Sequence, residues 1–308
     1  EWYPSPTDNL GLAGDAATGY RVYVSADGRG WSDGIPVATT AYTITGLAEG
    51  QLIFVRVTAT NEGGESFPSE TLAARAGALA PVLLVNDFRH LNRTMAVPET
   101  DPVEGYNMRL LLERMNTYNY VVQHGSVISY PFDSASSEAV RAGLVDLNDY
   151  ALVDWMLGEE GRGPATGPAL ETLDATERAL LTGFLNGGGA LFLSGSEVGL
   201  HLDQADREFY NTILRAGYEG DDAGTYQVQP VSGSLFDGLG AFSFDAPGMY
   251  TADFPDRLST LNGSLAALTY AGGLGGVAAV QYENPVRPCE RLVYFGFPFE
   301  TIRPEKRP

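Results

Sequence analysis

The chain has 308 residues, enough for two domains with buried cores, and its 44% hydrophobic content is ordinary for a folded globular protein. The formal net charge of −20 argues against nucleic acid and anionic membranes as partners, and no apolar run approaches the roughly 20 residues of a membrane-spanning helix. The single cysteine, Cys289, excludes an internal disulfide and any metal site built from several cysteines.

The first 78 residues carry strand patterns and no helical period. Hydrophobic and polar residues alternate over residues 20–24, 41–45 and 52–59, and glycine-rich clusters separate these runs. The pattern predicts a small antiparallel sandwich over residues 1–78, ending in a short linker of small residues at 73–78. The chain starts with Glu1-Trp2-Tyr3, which is typical of a strand interior and not of a signal peptide, so we expect further sequence upstream.

This segment resembles the fibronectin type III family. The matching residues are Trp2, residues 19–23 (Gly-Tyr-Arg-Val-Tyr), 45–47 (Thr-Gly-Leu), 56–61 (Arg-Val-Thr-Ala-Thr-Asn) and 66–69 (Ser-Phe-Pro-Ser). The resemblance implies an all-β sandwich whose first strand is missing here, with Ile53 where the family has a corner tyrosine. Because such sandwiches host many functions, we interpret the segment as a spacer in preference to a binding module.

From residue 79 to residue 308 the pattern changes to strands that alternate with helices. Strands are predicted at residues 82–86, 120–124, 151–155, 190–194, 277–282 and 291–296. One helix is predicted around 108–115, where four apolar side chains share a face. Another should begin at Asp174, which has capping-box spacing to Glu177, and end at Gly187. A further helix is marked by Phe209. This alternation predicts a three-layer α/β domain with a mostly parallel sheet.

Residues 187–199 (Gly-Gly-Gly-Ala-Leu-Phe-Leu-Ser-Gly-Ser-Glu-Val-Gly) are the most informative stretch of this second domain. They predict a helix stop, a buried strand and a tight turn into the next helix. Such a turn is where a Gly-x-nucleophile-x-Gly elbow belongs, but Gly195 and Gly199 bracket Glu197, which is neither serine nor cysteine.

The second domain resembles the class I glutamine amidotransferase-like, flavodoxin-type fold in residues 187–199 and 291–300. It is more similar still to secreted bacterial multidomain proteins in which this domain follows fibronectin type III repeats. The matching phrases are residues 85–88, 123–125, 132–136, 154–160 and 194–197. Many of those proteins resemble cell-wall amidases or polysaccharide-degrading enzymes through other domains. The resemblance therefore implies an extracellular or cell-surface location, and partners among carbohydrate, cell-wall material or other domains of a larger protein.

The residues required for amidotransferase chemistry are not in place. The family uses an elbow cysteine, a histidine that activates it and a glutamate that orients the histidine. Here Glu197 stands at the cysteine position and Phe297 at the histidine position, in the phrase Gly296-Phe297-Pro298-Phe299-Glu300. Cys289 precedes the last strand and cannot replace the elbow cysteine. Glutaminase activity is therefore not expected.

A serine nucleophile is a second interpretation of the elbow. Ser194 and Ser196 flank it, and His201 on the following helix is the best available base, with His124 as another candidate. The competing interpretation is that both hydroxyls bond backbone groups around the turn or cap the next helix, and this is favoured.

Carboxylates provide a third interpretation. Four of them fall at the carboxyl ends of predicted parallel strands: Asp87, Glu159, Glu160 and Glu197. If they converge, they suit general acid–base hydrolysis of glycans, or cation binding with help from Asp203. The structural alternative has Glu197 accepting from helix-terminal amides and Arg89 or Arg93 neutralising a neighbour. We weight the structural interpretation first and ligand binding second.

The remaining candidate site residues lie in an acidic loop. Glu219, Asp221 and Asp222 are candidate calcium ligands, although their spacing is not that of an EF-hand and a solvated loop is favoured. No cofactor other than calcium is suggested. We therefore predict an extracellular accessory binding or structural module with a degenerate amidotransferase-like domain. The alternative is a secreted hydrolase that acts on glycan or peptidoglycan through the strand-end carboxylates.

Overall fold

The computed structural model describes residues 1–4, 16–88, 97–101, 105–109, 119–159, 171–246 and 249–307. The chain divides into two compact units. The first comprises Glu1–Ala80 and Tyr118–Ser134, and the second comprises Pro81–Thr117 and Ala135–Pro308.

The described residues are rich in β-structure and contain five α-helices. The strands are β1 (Gly19–Ser25), β2 (Ile35–Val37), β3 (Leu52–Asn61), β4 (Gly64–Glu65), β5 (Leu72–Arg75), β6 (Val82–Asn86), β7 (Val97–Asp101), β8 (Gly105–Arg109), β9 (Phe132–Ser136), β10 (Leu152–Gly158), β11 (Ala190–Gly195), β12 (Ala216–Gly220), β13 (Gln227–Pro230), β14 (Phe242–Ser243), β15 (Arg257–Thr260), β16 (Leu265–Tyr270), β17 (Val277–Glu283) and β18 (Arg291–Phe295). The helices are α1 (Tyr120–Gly125), α2 (Ser137–Arg141), α3 (Ala175–Asn186), α4 (Val198–Ala205) and α5 (Arg207–Thr212), with short 3-10 turns at Leu147–Asp149, Phe299–Thr301 and Pro304–Lys306.

The first unit contains an antiparallel sheet in the order β2-β1-β3-β5, with β4 paired to β3 and Phe132 of β9 paired to Arg75 of β5. The predicted strands at 20–24 and 52–59 are confirmed. The predicted strand at 41–45 is wrong, because that segment forms no ladder and is largely exposed, with Tyr42 40% accessible. The supposed linker begins inside β5, whose backbone pairs with β3.

Helix α1 contradicts the prediction of a strand at 120–124. Its Tyr-Val-Val sequence favours a strand on local propensity. In the fold, Tyr120, Val121 and His124 lie buried on one side of a helical turn, and Val122 lies close to Gly28, where no Cβ would fit. Packing within the unit therefore decides the conformation of this segment.

The second unit is built on a mixed sheet. Four strands run parallel in the order β6-β10-β11-β18. Strand β17 is antiparallel to β18, and β16, β13 and β14 continue the antiparallel part, while β12 pairs with β15. The prediction of a mostly parallel sheet is therefore wrong. The chain between β17 and β18 spans only residues 284–290, too short for the crossover of a dozen or more residues that a parallel pair needs.

Both faces of the parallel strands are covered, in different ways. One face packs against helices: Leu191 and Leu193 of β11 share a core cluster with Leu181, Phe184 and Leu202. The other face meets an aromatic cluster that, among the described residues, contains no α-helical side chain. Its aromatic members are Phe236, Phe242, Phe244, Tyr270, Phe295, Phe297 and Phe299. The helix predicted around 108–115 lies outside the described residues, apart from the end of β8.

Helix α3 begins where the sequence predicts. The Asp174 carboxylate accepts the backbone N–H of Glu177, and the Glu177 carboxylate accepts the backbone N–H of Asp174. These reciprocal bonds satisfy N–H groups that the helix itself cannot pair. Gly187 ends the helix as expected.

We expect Asp174→Ala to lower the free energy of unfolding by about 1–2 kcal/mol, because it removes the cap and an ion pair 3.0 Å from Arg141. Asp149→Ala removes an exposed carboxylate and should change stability by less than about 0.5 kcal/mol. Urea unfolding followed by circular dichroism measures both. Equal effects of the two substitutions would contradict a stabilising role for the cap.

Candidate functional site

The turn between β11 and α4 has the backbone of a nucleophile elbow. Glu197 occupies the turn in the left-handed conformation, with φ 64° and ψ −1°, and α4 begins at the next residue. For a residue with a side chain this conformation costs roughly 1–2 kcal/mol. The predicted sequence of strand, tight turn and helix is confirmed, with the strained residue at the position that sequence spacing assigns to the nucleophile.

The glycines on either side of Glu197 are required by close contacts. A Cβ on Gly195 would lie 2.8 Å from Leu157 Cβ and 3.1 Å from the Gly158 carbonyl oxygen. A Cβ on Gly199 would lie 2.7 Å from the Tyr210 hydroxyl and 3.2 Å from the carboxyl carbon of Asp256. The spacing of the two glycines therefore reflects packing around the turn.

Asp256 anchors the first turn of α4. Its Oδ2 accepts the backbone N–H of Gly199 at 2.7 Å, and the N–H of Leu200 also bonds to this carboxyl group. Its own backbone N–H bonds the Gly296 carbonyl, and its carbonyl accepts the Tyr270 hydroxyl. Two amides at the start of α4, a position that attracts anions, are thus bonded to a side chain of the protein. Asp256 lies in an irregular stretch with no motif around it, so its role could not be predicted from the sequence.

The charges near the elbow are predominantly negative. Burial raises the pKa of Asp256 well above its usual range, and the charges of Glu197 and Asp221 raise it further. Burial also raises the pKa of Tyr218 to about 12, with additional contributions from the same three carboxyl groups. Burial lowers the pKa of His201, although the charge of Asp221 opposes this shift. The cluster therefore favours neutral or cationic groups over anions.

The strand-end carboxylates Asp87 and Glu159 make hydrogen bonds within the fold. Asp87 is fully buried, and its two oxygens accept the Ser137 hydroxyl at 2.6 Å and the Trp155 indole N–H at 2.8 Å. Glu159 is 5% exposed and accepts the backbone N–H of Asp253. Both acids thus bind neighbouring loops and side chains. Glu160, Arg89 and Arg93 lie outside the described residues.

In the described residues, neither Ser194 nor Ser196 forms a hydrogen bond to a base. Ser194 and Ser196 are fully buried, and neither Oγ has a hydrogen-bond partner in the described part of the chain. The expectation that these hydroxyls bond backbone groups or cap α4 is therefore wrong, because the buried turn is closed by main-chain bonds and by Asp256. His124 lies in α1 and not at a strand end.

The positions of the family's histidine and glutamate have structural roles. Phe297 is fully buried and stacks on Phe244, with ring centroids 4.2 Å apart. Glu300 is also fully buried and accepts the Tyr250 hydroxyl. Both side chains are therefore used in packing and hydrogen bonding within the fold.

The calcium candidates do not form a ligand shell. Across the described ranges, no group of three or more His, Cys, Asp or Glu residues is arranged to hold a metal ion. The Asp222 carboxylate accepts the Gly224 N–H within its own turn, and Glu219 contributes a carbonyl to Arg257. Asp203, considered as an additional cation ligand, forms a bidentate pair with Arg207. Glu219, Asp221 and Asp222 are all exposed at the surface.

No protein-family model matches the chain, and no curated protein matches it. Two solved structures are similar in outline. The N-terminal domain of mmIFT52 is 13% identical, with a TM-score of 0.43, over 73% of this chain and 91% of that one. A protein described as ThuA-like from Bacteroides uniformis is 8% identical, with a TM-score of 0.40, over 76% of this chain and 87% of that one. Neither likeness is close enough to assign a fold or a function. In the described residues, no helix has the length and apolar character needed to cross a membrane.

Proposed function

We propose that this chain is an extracellular or cell-surface module that binds or organises other components and does not catalyse a reaction. In this proposal a fibronectin type III-like sandwich precedes an amidotransferase-like α/β domain that has kept the elbow backbone and lacks the Cys-His-Glu triad. The partners are carbohydrate, cell-wall material or other domains of a larger bacterial protein, as the sequence resemblance implies.

The proposal depends on Phe297, which stands where the resemblance places the catalytic histidine. Phe297 belongs to an aromatic cluster and is fully buried, so replacing the missing imidazole would require rebuilding a core. The residue at the elbow is a carboxylate, and the helix amides beside it are bonded to Asp256. Formation of a tetrahedral intermediate at the elbow would lack an activated nucleophile, and the Gly199 and Leu200 amides, which are bonded to Asp256, could not stabilise its oxyanion.

The hydrolase alternative depends on a working pair of carboxylates. General acid–base catalysis requires two acids that reach the same substrate bond. Asp87 is enclosed by Ser137 and Trp155, and Glu159 is bonded to a backbone amide, so both are used in the fold. This arrangement favours the module over the hydrolase.

The test is an activity panel with wild type, Glu197→Gln and Glu197→Cys. We expect no hydrolysis of glutamine, aryl glycosides or peptidoglycan fragments by any of the three, because Glu197→Cys still lacks the base that Phe297 replaces. Sedimentation with insoluble peptidoglycan and chitin should give equal binding for wild type and Glu197→Gln. Turnover by wild type that Glu197→Gln abolishes would establish the hydrolase and contradict the module.

A further inference from the structure

The sequence contains the dipeptide Asn-Gly twice, each time after a leucine. Leu185-Asn186-Gly187 lies at the end of α3, and Leu261-Asn262-Gly263 lies between β15 and β16. In an Asn-Gly pair the backbone nitrogen can attack the preceding side-chain amide, because glycine has no side chain to obstruct the approach. Both asparagines and both glycines are exposed. Local sequence and exposure therefore do not distinguish the two positions, and a difference in their reactivity must come from the fold.

Asn262 and Gly263 are the central residues of a tight turn. Their φ angles of 49° and 87° are those of a type I′ turn, and the Ser264 backbone N–H donates to the Leu261 carbonyl oxygen at 3.0 Å. The Asn262 side chain makes one exposed bond, in which Nδ2 donates to the Asn211 carbonyl oxygen at 2.8 Å. Within the described residues, the Gly263 N–H makes no hydrogen bond. The backbone nitrogen beside Asn262 can therefore move without losing a partner.

The backbone nitrogen beside Asn186 is part of a hydrogen-bonded turn. The Gly187 N–H donates to the Gly183 carbonyl oxygen at 2.9 Å, and the next two amides also bond carbonyl groups of α3. Attack on Asn186 would require the end of the helix to unwind and that bond to break. Attack on Asn262 takes that residue out of a left-handed conformation, which is unfavourable for a residue with a side chain.

We infer that Asn262 is a site of spontaneous deamidation in the folded protein and that Asn186 is protected from this reaction. The Gly263 nitrogen forms a bond to Cγ of Asn262 and loses its proton. The bond from Cγ to Nδ2 breaks, and Nδ2 leaves as ammonia, which gives a cyclic succinimide. Water then adds to either carbonyl group of the ring and opens it to aspartate or isoaspartate. The inference does not depend on the proposed function.

The products alter the turn in a defined way. A carboxylate has no proton to donate, so the hydrogen bond from Asn262 to the Asn211 carbonyl is lost. Isoaspartate also adds a methylene group to the main chain, inside the turn that the Ser264 N–H closes. Deamidation therefore adds a negative charge and loosens the connection between β15 and β16.

The experiment is incubation of the full chain at mildly alkaline pH, folded and in urea, followed by peptide mapping with mass spectrometry. A deamidated peptide has the mass change of an amide converted to an acid, and chromatography separates its aspartate and isoaspartate forms. In the folded chain we expect Asn262 to react about tenfold faster than Asn186, the factor that corresponds to one intact hydrogen bond. In urea the two Leu-Asn-Gly sequences should react at similar rates, because the fold no longer distinguishes them.

Two variants identify the reacting peptide. Asn262→Gly leaves a Gly-Gly pair, which also suits a type I′ turn, and it should abolish isoaspartate formation in that peptide while the chain stays folded. Asn262→Asp provides the chromatographic standard for the aspartate product. Circular dichroism of both variants checks that the fold is kept.

The inference is overturned if Asn262 and Asn186 react at the same rate in the folded chain. It is also overturned if Asn262 stays unmodified in the folded chain over the time in which the urea-unfolded chain is converted. A rate difference that persists unchanged in urea contradicts it as well, since the difference would then arise from local sequence and not from the fold.

Discussion

Gly199→Ala lowers the free energy of unfolding by about 3 kcal/mol, the largest effect expected from a single methyl group at the elbow. The new Cβ would lie 2.7 Å from the Tyr210 hydroxyl and 3.2 Å from Oδ2 of Asp256. Tyr210 is fully buried and cannot rotate into solvent. The methyl group also separates the Asp256 carboxylate from the Gly199 N–H that it accepts. Overpacking and the loss of a buried hydrogen bond therefore both lower the free energy of unfolding.

Gly183→Ala is the matched control. Gly183 lies exposed in α3, and an added Cβ there meets nothing within 4 Å. This substitution should stabilise the protein by up to about 1 kcal/mol, because alanine is the better helix former. Chemical unfolding monitored by fluorescence and circular dichroism measures both. If Gly199→Ala were as stable as wild type, the close packing of Tyr210 and Asp256 on α4 would be wrong.

Asp256→Asn changes how stability depends on pH. The folded-state pKa of Asp256 is raised well above its usual range by burial and by the charges of Glu197 and Asp221. An acid with a raised folded-state pKa contributes stability that is fully present below its unfolded pKa of about 3.9 and is lost as pH rises through the folded-state pKa. The stability of Asp256→Asn relative to wild type should therefore increase as pH rises from about 4.

The direction of this change follows from linkage, because wild type must ionise a buried carboxyl group as pH rises and asparagine does not titrate. The side chains that surround Asp256 include Glu197, Asp221, Arg257 and four tyrosines (Tyr210, Tyr218, Tyr270 and Tyr294), and comparison with wild type at each pH cancels their common contributions.

Asp237→Asn is the control for loss of a carboxylate that accepts a backbone N–H. Asp237 is exposed and accepts the backbone N–H of Gly233 at 2.7 Å. Urea unfolding at a series of pH values should give a much larger pH-dependent difference at Asp256 than at Asp237, because only Asp256 is removed from solvent. A flat difference at Asp256 would show that its carboxyl group is solvated and that it does not lie beneath the elbow.

Local sequence was sufficient to predict the elements whose ends are marked by capping or turn residues. The capping box of Asp174 and Glu177 and the stop at Gly187 set the limits of α3. Continuous apolar residues in β6 and β11 predicted buried strands. The spacing of Gly195 and Gly199 predicted the elbow. Local sequence failed at α1, where strand-forming residues adopt a helix because the packing around Tyr120 and Val121 outweighs their propensity.

The candidate site likewise has features that the sequence predicted and features that only the tertiary structure shows. The sequence by itself shows a glutamate at position 197 and a phenylalanine at position 297, where the resemblance places the nucleophile and the base of amidotransferases. The spacing of Gly195 and Gly199 also predicted the backbone turn, and the tertiary contacts of both glycines explain why a larger residue does not fit there. The tertiary structure decided which partners each acid has. Asp256 reaches the amides of α4 across 57 residues of sequence, and Asp87 reaches Trp155 across 68.

Those long-range contacts leave no local pattern, because hydrogen bonds between distant segments depend on how sheets and helices pack and not on spacing along the chain. The antiparallel direction of β17 is decided at the same level. The motifs of this protein thus predicted the turn and the residues that stand in it. Its packing decided which partners the polar groups around that turn have.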